Sequence, residues 1–478
     1  MNLSILIMIP FAALTCYLLA RRSAYLLTLW MFLILAFPTT RSMIGPIPIY
    51  WYDIVAVASL VMLLAEPGLI AAQRSRFLPH WVFIAVVLVT GTILPFARYG
   101  VHAELVWNFL HTALAIMGFV VGFALVLSRR EGLYVNRLLI GFAAGAAILF
   151  IAAIYQRSGP AGSAQILDWY YGDFGTEFII GEFQAYLRST RAAAGMQHPN
   201  TLGVAMAVTA MVSLIVGVRR RGMSRLLSLI VIGLCLVTLV LSASRQALLG
   251  LMIFGTFAGI LTASGRARQT ALALSLVGAL VLVATGGAGM LDRLSGLFAD
   301  QLDSNVAARI IDGPERLMRT ISENPSVLLI GAGHDVTKLA RLGTEVGDLD
   351  QGFSSNGFLL SLYYYGVFGF ILILATWLLT IRRAWMTRGP ARPPLIGASL
   401  ALAFFFFADN HGLLAEELMT LIFLTTGLIY GAGLQRLAAG SSPIGLARPE
   451  QSRARAAGRS GSPAGAQEVR SGRPAGGP

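Results

Sequence analysis

One arginine stands in a short polar turn between two apolar runs, and its side chain is suited to binding anions. Arg245 lies in the stretch Ser242–Ala243–Ser244–Arg245–Gln246. A guanidinium group held near hydrocarbon is costly and usually has a functional partner. Its planar fork matches two oxygens of a phosphate group. The alternative is that Arg245 extends its side chain to lipid headgroups.

A second group of polar residues opens another apolar run. Arg191 is followed by His198, Pro199, Asn200 and Thr201. Asn200 or Thr201 is suited to capping a helix that begins there, and a helix N-terminus beside Arg191 favours an anion. We therefore predict that Arg191, His198 and Asn200 bind substrate, with helix capping as the alternative.

The long polar stretch 289–355 carries further basic residues. Arg309 is, like Arg245, a candidate catalytic residue, and we predict that Arg316 and Arg319 bind substrate from a short amphipathic helix that begins near Pro314. Ordinary pairing with acidic neighbours is the alternative for Arg316 and Arg319. His334 is a candidate general base, because histidine exchanges protons near neutral pH.

Metal and nucleotide chemistry have no motif in this chain. Neither a His-x-x-x-His nor a Cys-x-x-Cys spacing occurs, and no phosphate-binding P-loop is present. Cys16 and Cys235 both lie within apolar runs, which indicates small buried side chains. We therefore predict no metal and no cofactor.

The composition indicates an all-α polytopic membrane protein. The chain is 56% hydrophobic and 12% charged, with a mean hydropathy of +0.72. Runs of about 20 apolar residues match a hydrocarbon core of ~30 Å. The net charge of +13 is explained by topology and anionic lipids, so no nucleic acid partner is predicted.

Arginine is concentrated in every second connection between the apolar runs, which indicates the cytoplasmic side. About 12–13 transmembrane helices follow, with Met1–Ala20 as a first span and the C-terminus inside. The candidate spans are 3–20, 24–38, 50–65, 81–96, 105–127, 134–155, 199–217, 225–242, 246–263, 269–288, 356–381, 394–408 and 413–434.

The same alternation divides the chain into regions. Two outward loops, 156–198 and 289–355, separate three groups of membrane helices at 1–155, 199–288 and 356–434. Residues 440–478 are rich in Gly, Pro, Ser, Ala and Arg and are predicted to form a disordered cytoplasmic tail. Twelve basic residues, including Arg191, Arg245 and Arg309, then face outward.

The order of the motifs resembles the bacterial O-antigen ligase/polymerase family. The similarity is strongest over about 190–381 and rests on the order and spacing of motifs around one large outer loop. Those motifs are His198–Gly203, Ser244–Arg245, Arg309, Glu323–Pro325, Ile330–Gly333, Asn356–Leu359 and Gly366–Gly369.

The resemblance implies a GT-C-like membrane glycosyltransferase that is independent of metal and faces the periplasm from the inner membrane. Its donor would be an undecaprenyl-diphosphate-linked glycan, and its acceptor another glycan or lipid A–core. Arg245 and Arg309 match the family's diphosphate-binding arginines, and Arg191 is a third candidate. Ser355 and Asn356 lie in the matching substrate-binding stretch. Membrane lipids and polysaccharide-assembly proteins are further expected partners.

Two departures from the ligases favour a polymerase of O-antigen or exopolysaccharide repeat units. Ser354–Ser355 stands where ligases carry a histidine, and Asp312–Gly313 replaces an aromatic residue after the loop arginine. Transfer of glycan to lipid A–core by a ligase is the alternative activity. A transporter or flippase of lipid-linked sugars is the alternative from another class, but it would place ionisable residues at the membrane midplane. A scaffolding role is a further alternative.

Overall fold

The computed structural model describes most of the apolar part of the chain. The described residues are 3–38, 40–44, 47–65, 103–128, 130–171, 191–196, 198–217, 220, 222–262, 325–331, 357–387, 391–408 and 416–440, with single positions 265, 268, 269, 276, 315, 318, 319 and 322. The candidate spans 81–96 and 269–288 lie almost entirely outside this set. Residues 436–478 form a separate unit, of which only the end of the last helix is described.

Helices form nearly everywhere that the hydropathy pattern predicts a span within the described residues. In chain order they are α1 Leu3–Ala20, α2 Tyr25–Ala36, α3 Trp51–Leu64, α4 Ala103–Leu127, α5 Glu131–Arg157, α6 Pro160–Tyr171, α7 Pro199–Gly217, α8 Met223–Ser242, α9 Arg245–Ile260, α10 Pro325–Ile330, α11 Gly357–Met386, α12 Arg392–Ala408 and α13 Glu416–Gly440.

The predicted all-α membrane fold is confirmed, with one small addition. Within the described part, α5, α7, α8 and α11 are long and apolar enough to cross a membrane, and shorter apolar helices accompany them. The addition is an antiparallel hairpin of β1 Arg41–Ile44 and β2 Ile47–Tyr50. Pro48 within β2 disfavours a helix, and the hydropathy of the longer apolar runs does not reveal so short an element.

Small residues let the helices approach one another closely. An added Cβ at Gly122 of α4 would overlap the Leu424 carbonyl of α13. Gly141 of α5 similarly faces Thr28 of α2, with 2.9 Å between an added Cβ and the Met31 Cβ. Glycine at such contacts is usual in membrane bundles, where packing replaces the hydrophobic effect as the driving force.

Helix α11 is sharply bent, which corrects the prediction of one span at 356–381. Gly366 has φ 64° and ψ −175°, so the helix is interrupted there. The rings of Phe358 and Phe370 lie 6.4 Å apart, although twelve residues of straight helix would separate them by ~18 Å. The short half that ends at Tyr365 therefore folds back on the longer half. A continuous apolar run has the same hydropathy in either arrangement, so sequence periodicity did not reveal the bend.

Gly331, just after α10, packs against this bend. A Cβ added at Gly331 would lie 2.7 Å from the Gly366 amide nitrogen, and one added at Gly366 would lie 2.8 Å from the Gly331 nitrogen. Both glycines have positive φ, which side chains disfavour. The middle of the stretch 289–355 is thereby packed against a membrane helix.

Candidate functional site

Arg245 is the first residue of α9, at a tight turn after α8. Ala243 adopts the left-handed conformation with φ 48° and ends α8, and its N–H donates to the Val240 carbonyl. Ser244 is extended and precedes α9. Arg245 itself is partly buried. Its position combines a guanidinium group with the positive end of a helix dipole.

The serine before α9 does not cap that helix with its side chain. Ser244 is fully buried, and its hydroxyl has no hydrogen-bond partner among the described residues. The hydroxyl is instead turned toward Gly203 of α7, where an added Cβ would lie 2.8 Å from the Ser244 Oγ. The start of α9 therefore lacks a side-chain cap, and a negatively charged ligand there would be stabilised by backbone amides.

A buried segment without regular secondary structure leads into α7. Ala192, Ala193, Ala194 and Met196 are completely buried. Such a backbone is tolerated at membrane depth only where protein or a cavity surrounds it, because each amide needs a partner. This arrangement distinguishes residues 191–196 from an ordinary surface loop.

Two other parts of the chain accept hydrogen bonds from this segment. The Ala192 N–H donates to the Leu241 carbonyl at 3.0 Å. The Ala193 and Ala194 N–H groups both donate to the Gln156 side-chain oxygen, at 2.9 and 2.7 Å. Gln156 lies near the end of α5 and is only 4% exposed, so its side-chain oxygen serves this buried segment and not solvent.

The Arg191 guanidinium connects two helix ends. Its Nε donates to the Ser242 carbonyl at the end of α8, at 3.1 Å. Its terminal nitrogen donates to Asn200 Oδ1 in the first turn of α7, at 2.6 Å. The ends of α7 and α8 thus converge on one side chain, directly before the turn that carries Arg245.

His198, not Asn200 or Thr201, caps the start of α7. The Asn200 N–H donates to His198 Nδ1 at 3.0 Å, and the Leu202 N–H donates to the His198 carbonyl at 3.1 Å. In this arrangement Nδ1 is an acceptor, so a neutral ring carries its proton on Nε2. The capping prediction for Asn200 and Thr201 is wrong because α7 begins at Pro199, which places both residues inside the helix.

Tyr170 of α6 supports the same segment from the other side. Its hydroxyl donates to the Ala36 carbonyl at 2.9 Å, and its ring occupies the space where Gly195 would carry a side chain. Burial raises the pKa of Tyr170 to about 12, so the phenol remains a donor at physiological pH.

The structure brings together four of the predicted site residues and leaves others outside its described part. Arg191, His198, Asn200 and Arg245 surround the α7–α8–α9 ends, and Arg319 is helical and exposed within the stretch 289–355. Residues outside the described set are Arg309, Arg316, His334, Ser355 and Asn356. Within the described residues, no cluster of three or more His, Cys, Asp or Glu side chains is placed to hold a metal ion.

Sequence reasoning missed Gln156, and it did not predict the contact between Ser244 and Gly203, although both residues lie in the quoted motifs. A glutamine at the end of an apolar run offered a weak signal, because a buried amide needs partners. Nothing local marks Gly203 as a contact point, since glycine is frequent in membrane helices.

Together, the apolar helices and the arginine-bearing helix end define an all-α membrane protein with a candidate anion site. The chain belongs to the WcaD colanic acid polymerase family, which matches residues 159–429, more than half of its length. This is an exopolysaccharide polymerase-type family, so the chain is a glycosyltransferase-type membrane enzyme. No curated protein and no solved structure matches it significantly.

Proposed function

We propose that this protein joins exopolysaccharide repeat units at the periplasmic face of the inner membrane, using an undecaprenyl-diphosphate-linked glycan as donor. The observation that supports this most directly is Arg245 at the uncapped N-terminus of α9, within the region that matches the polymerase family. The diphosphate is the leaving group, and it needs fixed positive groups as its charge grows.

The reaction exchanges one bond at the anomeric carbon. The acceptor hydroxyl oxygen bonds to that carbon, and the bond to the diphosphate oxygen breaks with its electron pair. Arg245 and the first amides of α9 stabilise the departing oxygens, and Arg309 is proposed as a second clamp. Preorganised donors of this kind account for much of enzymatic rate enhancement. The hydroxyl proton passes to a general base, for which His334 is the candidate.

The length of α5 supports placing the site on the side opposite the arginine-rich connections. Glu131 at its start pairs with Arg220 at 2.6 Å, and Gln156 near its end holds residues 193 and 194. About 25 residues of helix at ~1.5 Å each separate these contacts by ~37 Å. That exceeds the ~30 Å hydrocarbon core, so the two contacts fit opposite membrane faces. Arginine enrichment at the Glu131 end then favours a periplasmic site.

Deletion of the gene, followed by gel analysis of lipopolysaccharide and secreted polymer, tests the function. We expect loss of long polymer and accumulation of single repeat units. Polymer that is still made on its carrier but not attached to lipid A–core would instead indicate a ligase. Unchanged glycans would overturn the proposal and favour a transporter or scaffold. Polymerisation by purified protein in excess chelator would test metal independence.

A further inference from the structure

We propose that Arg191 and Asn200 are positioning residues that hold the Ser244–Arg245 turn in place, and that neither of them contacts the substrate diphosphate. The inference rests on the proposed function for the role of Arg245. It assigns a different task to two residues that the sequence alone suggests as ligands. We call the pair Arg191–Asn200 the strut.

The strut binds the backbone of the turn directly. Arg191 Nε donates to the Ser242 carbonyl, three residues before Arg245, at 3.1 Å. The neighbouring Ala192 N–H donates to the Leu241 carbonyl at 3.0 Å. Two adjacent residues thus bond to two adjacent carbonyls at the end of α8, which restrains the direction in which the chain enters α9.

The other end of the strut lies on the face of α7 that touches the turn. Asn200 and Gly203 are three residues apart and share one helix face. Asn200 accepts from Arg191 at 2.6 Å, while Gly203 leaves 2.8 Å between an added Cβ and Ser244 Oγ and 3.0 Å to Ser242 Oγ. One helix face therefore positions the turn both by a bonded arginine and by direct contact.

The backbone that carries Arg191 is itself held in place. Gln156 accepts two hydrogen bonds from the backbone two and three residues after Arg191. Residues 192–194 are fully buried. The guanidinium position is consequently determined by the protein core, and a displacement of about 1 Å at a catalytic group can reduce the rate by about a hundredfold.

Asn200→Asp separates positioning from substrate binding. A carboxylate accepts from Arg191 at least as well as an amide does and is favourable in the first turn of a helix. If the pair only positions the turn, the Asn200→Asp protein should form polymer at a rate within about threefold of wild type. The Asn200→Ala protein should lose about tenfold or more of that rate. If Asn200 contacted the diphosphate, the added negative charge would abolish activity, and that result would overturn the proposal.

Arg191→Lys provides the complementary test. Lysine keeps the charge but cannot span both acceptors with a planar fork. We expect Arg191→Lys to be about as impaired as Arg191→Ala, and the Arg191→Ala/Asn200→Ala double variant to be no worse than either single variant. Additive losses would show that the two residues act separately and would contradict the strut.

A readout independent of catalysis uses thiol labelling in a Cys16→Ser/Cys235→Ala background. The labelling rate of an Arg245→Cys variant by a membrane-impermeant maleimide reports the environment of the turn. Adding Asn200→Ala should change this rate severalfold, and adding Asn200→Asp should leave it unchanged. An equal labelling rate in all three proteins would refute the positioning role of Arg191 and Asn200. An active Arg245→Ala protein would reject the proposed diphosphate clamp. The labelling measurement would still test the positioning role, because it does not depend on catalysis.

Discussion

At the residue scale, the position of Arg245 favours anion binding beyond what its charge alone would give. It begins a helix whose preceding serine is turned away from a capping role. A guanidinium group and the first amides of a helix then lie together, and each favours an anion. Few residue types other than arginine supply a bidentate cationic donor beside the first amides of a helix.

We predict that Arg245→Ala and Arg309→Ala each reduce polymer formation by about a hundredfold or more, because each removes a donor to the leaving group. Arg245→Lys should restore little activity, since lysine lacks the bidentate fork. Polymer is measured on gels in a deletion strain that expresses each variant, with protein abundance in the membrane as control. Full-length polymer in normal amount from either alanine variant contradicts the clamp assignment for that residue.

Gly203→Ala should disturb the same turn through contact alone. The new methyl group would overlap the Ser244 Cβ, which is part of a fully buried side chain. Overpacking of this kind costs about 1–3 kcal/mol. We expect a lower melting temperature in detergent and reduced polymer.

Gly233→Ala is the matched control, because an added Cβ there meets nothing within 4 Å. It should melt at or slightly above the wild-type temperature, as alanine favours helix. Equal melting temperatures for the two variants would show that the Gly203–Ser244 contact is unimportant.

At the element scale, two irregular elements depend on specific residues that are distant in sequence. Residues 191–196 are buried without regular secondary structure, and α11 is interrupted at Gly366. Gln156 accepts hydrogen bonds from the first of these elements, and Gly331 packs against the bend in the second. Removal of either partner should therefore have a large effect relative to a similar change elsewhere.

Gln156→Met keeps the side-chain length but removes the oxygen that serves two buried N–H groups. Each orphaned group costs about 1–3 kcal/mol. We expect a strong fall in resistance to thermal unfolding and to proteolysis. Gln165→Met is the control, since among the described residues Gln165 accepts one exposed bond, from Tyr155. The importance of the Gln156 bonds is disproved if both variants unfold alike.

Gly366→Ala should weaken the packing of the stretch 325–331 against α11. It combines a positive φ of 64° with an overlap on the Leu329 carbonyl. Gly222→Ala is a suitable comparison, because Gly222 has φ 68° but nothing within 4 Å of an added Cβ. Both variants then carry backbone strain of about 1–3 kcal/mol.

Faster proteolysis at the outer loop in Gly366→Ala, beyond the change in Gly222→Ala, would confirm the packing contribution. Identical cleavage patterns would mean that backbone strain alone explains the effect.

At the scale of the whole molecule, the helix ends separate into two chemical environments. One end contains Arg220 paired with Glu131, and Arg137 stacked 3.8 Å from the Tyr25 ring centroid. The other contains Arg191, His198 and Arg245 around the buried segment. Charge alone does not distinguish these ends, but the frequency of arginine in the connections does.

Two cysteine variants on α5 test the proposed orientation in the Cys16→Ser/Cys235→Ala background. Arg157 is exposed at the end of α5, and exposed Arg130 directly precedes its start. In cells whose outer membrane has been opened, an impermeant thiol reagent should label Arg157→Cys. It should label Arg130→Cys only after the inner membrane is disrupted. The reverse pattern would place the site in the cytoplasm and reject the periplasmic proposal.

Much of the helical architecture was predictable from sequence because it depends on local quantities. Hydropathy located α7 at 199–217 and α8 within two residues of its start. Arg191, His198, Asn200 and Arg245 were singled out as candidate site residues because polar residues beside apolar runs are costly without a partner, and their roles stay predictions. The bend at Gly366 was not predictable in this way, since it depends on packing against Gly331.

Sequence alone determined which segments are apolar helices, which connections are rich in arginine, and which polar residues open those helices. Only the tertiary structure decided how these residues are used: Arg191 bonds to a carbonyl 51 residues away, and Gln156 bonds to amides 37 and 38 residues away. The physical reason is that hydropathy and charge bias act on each segment separately. A hydrogen-bond partner for a buried group, by contrast, is selected by whichever distant segment packs beside it.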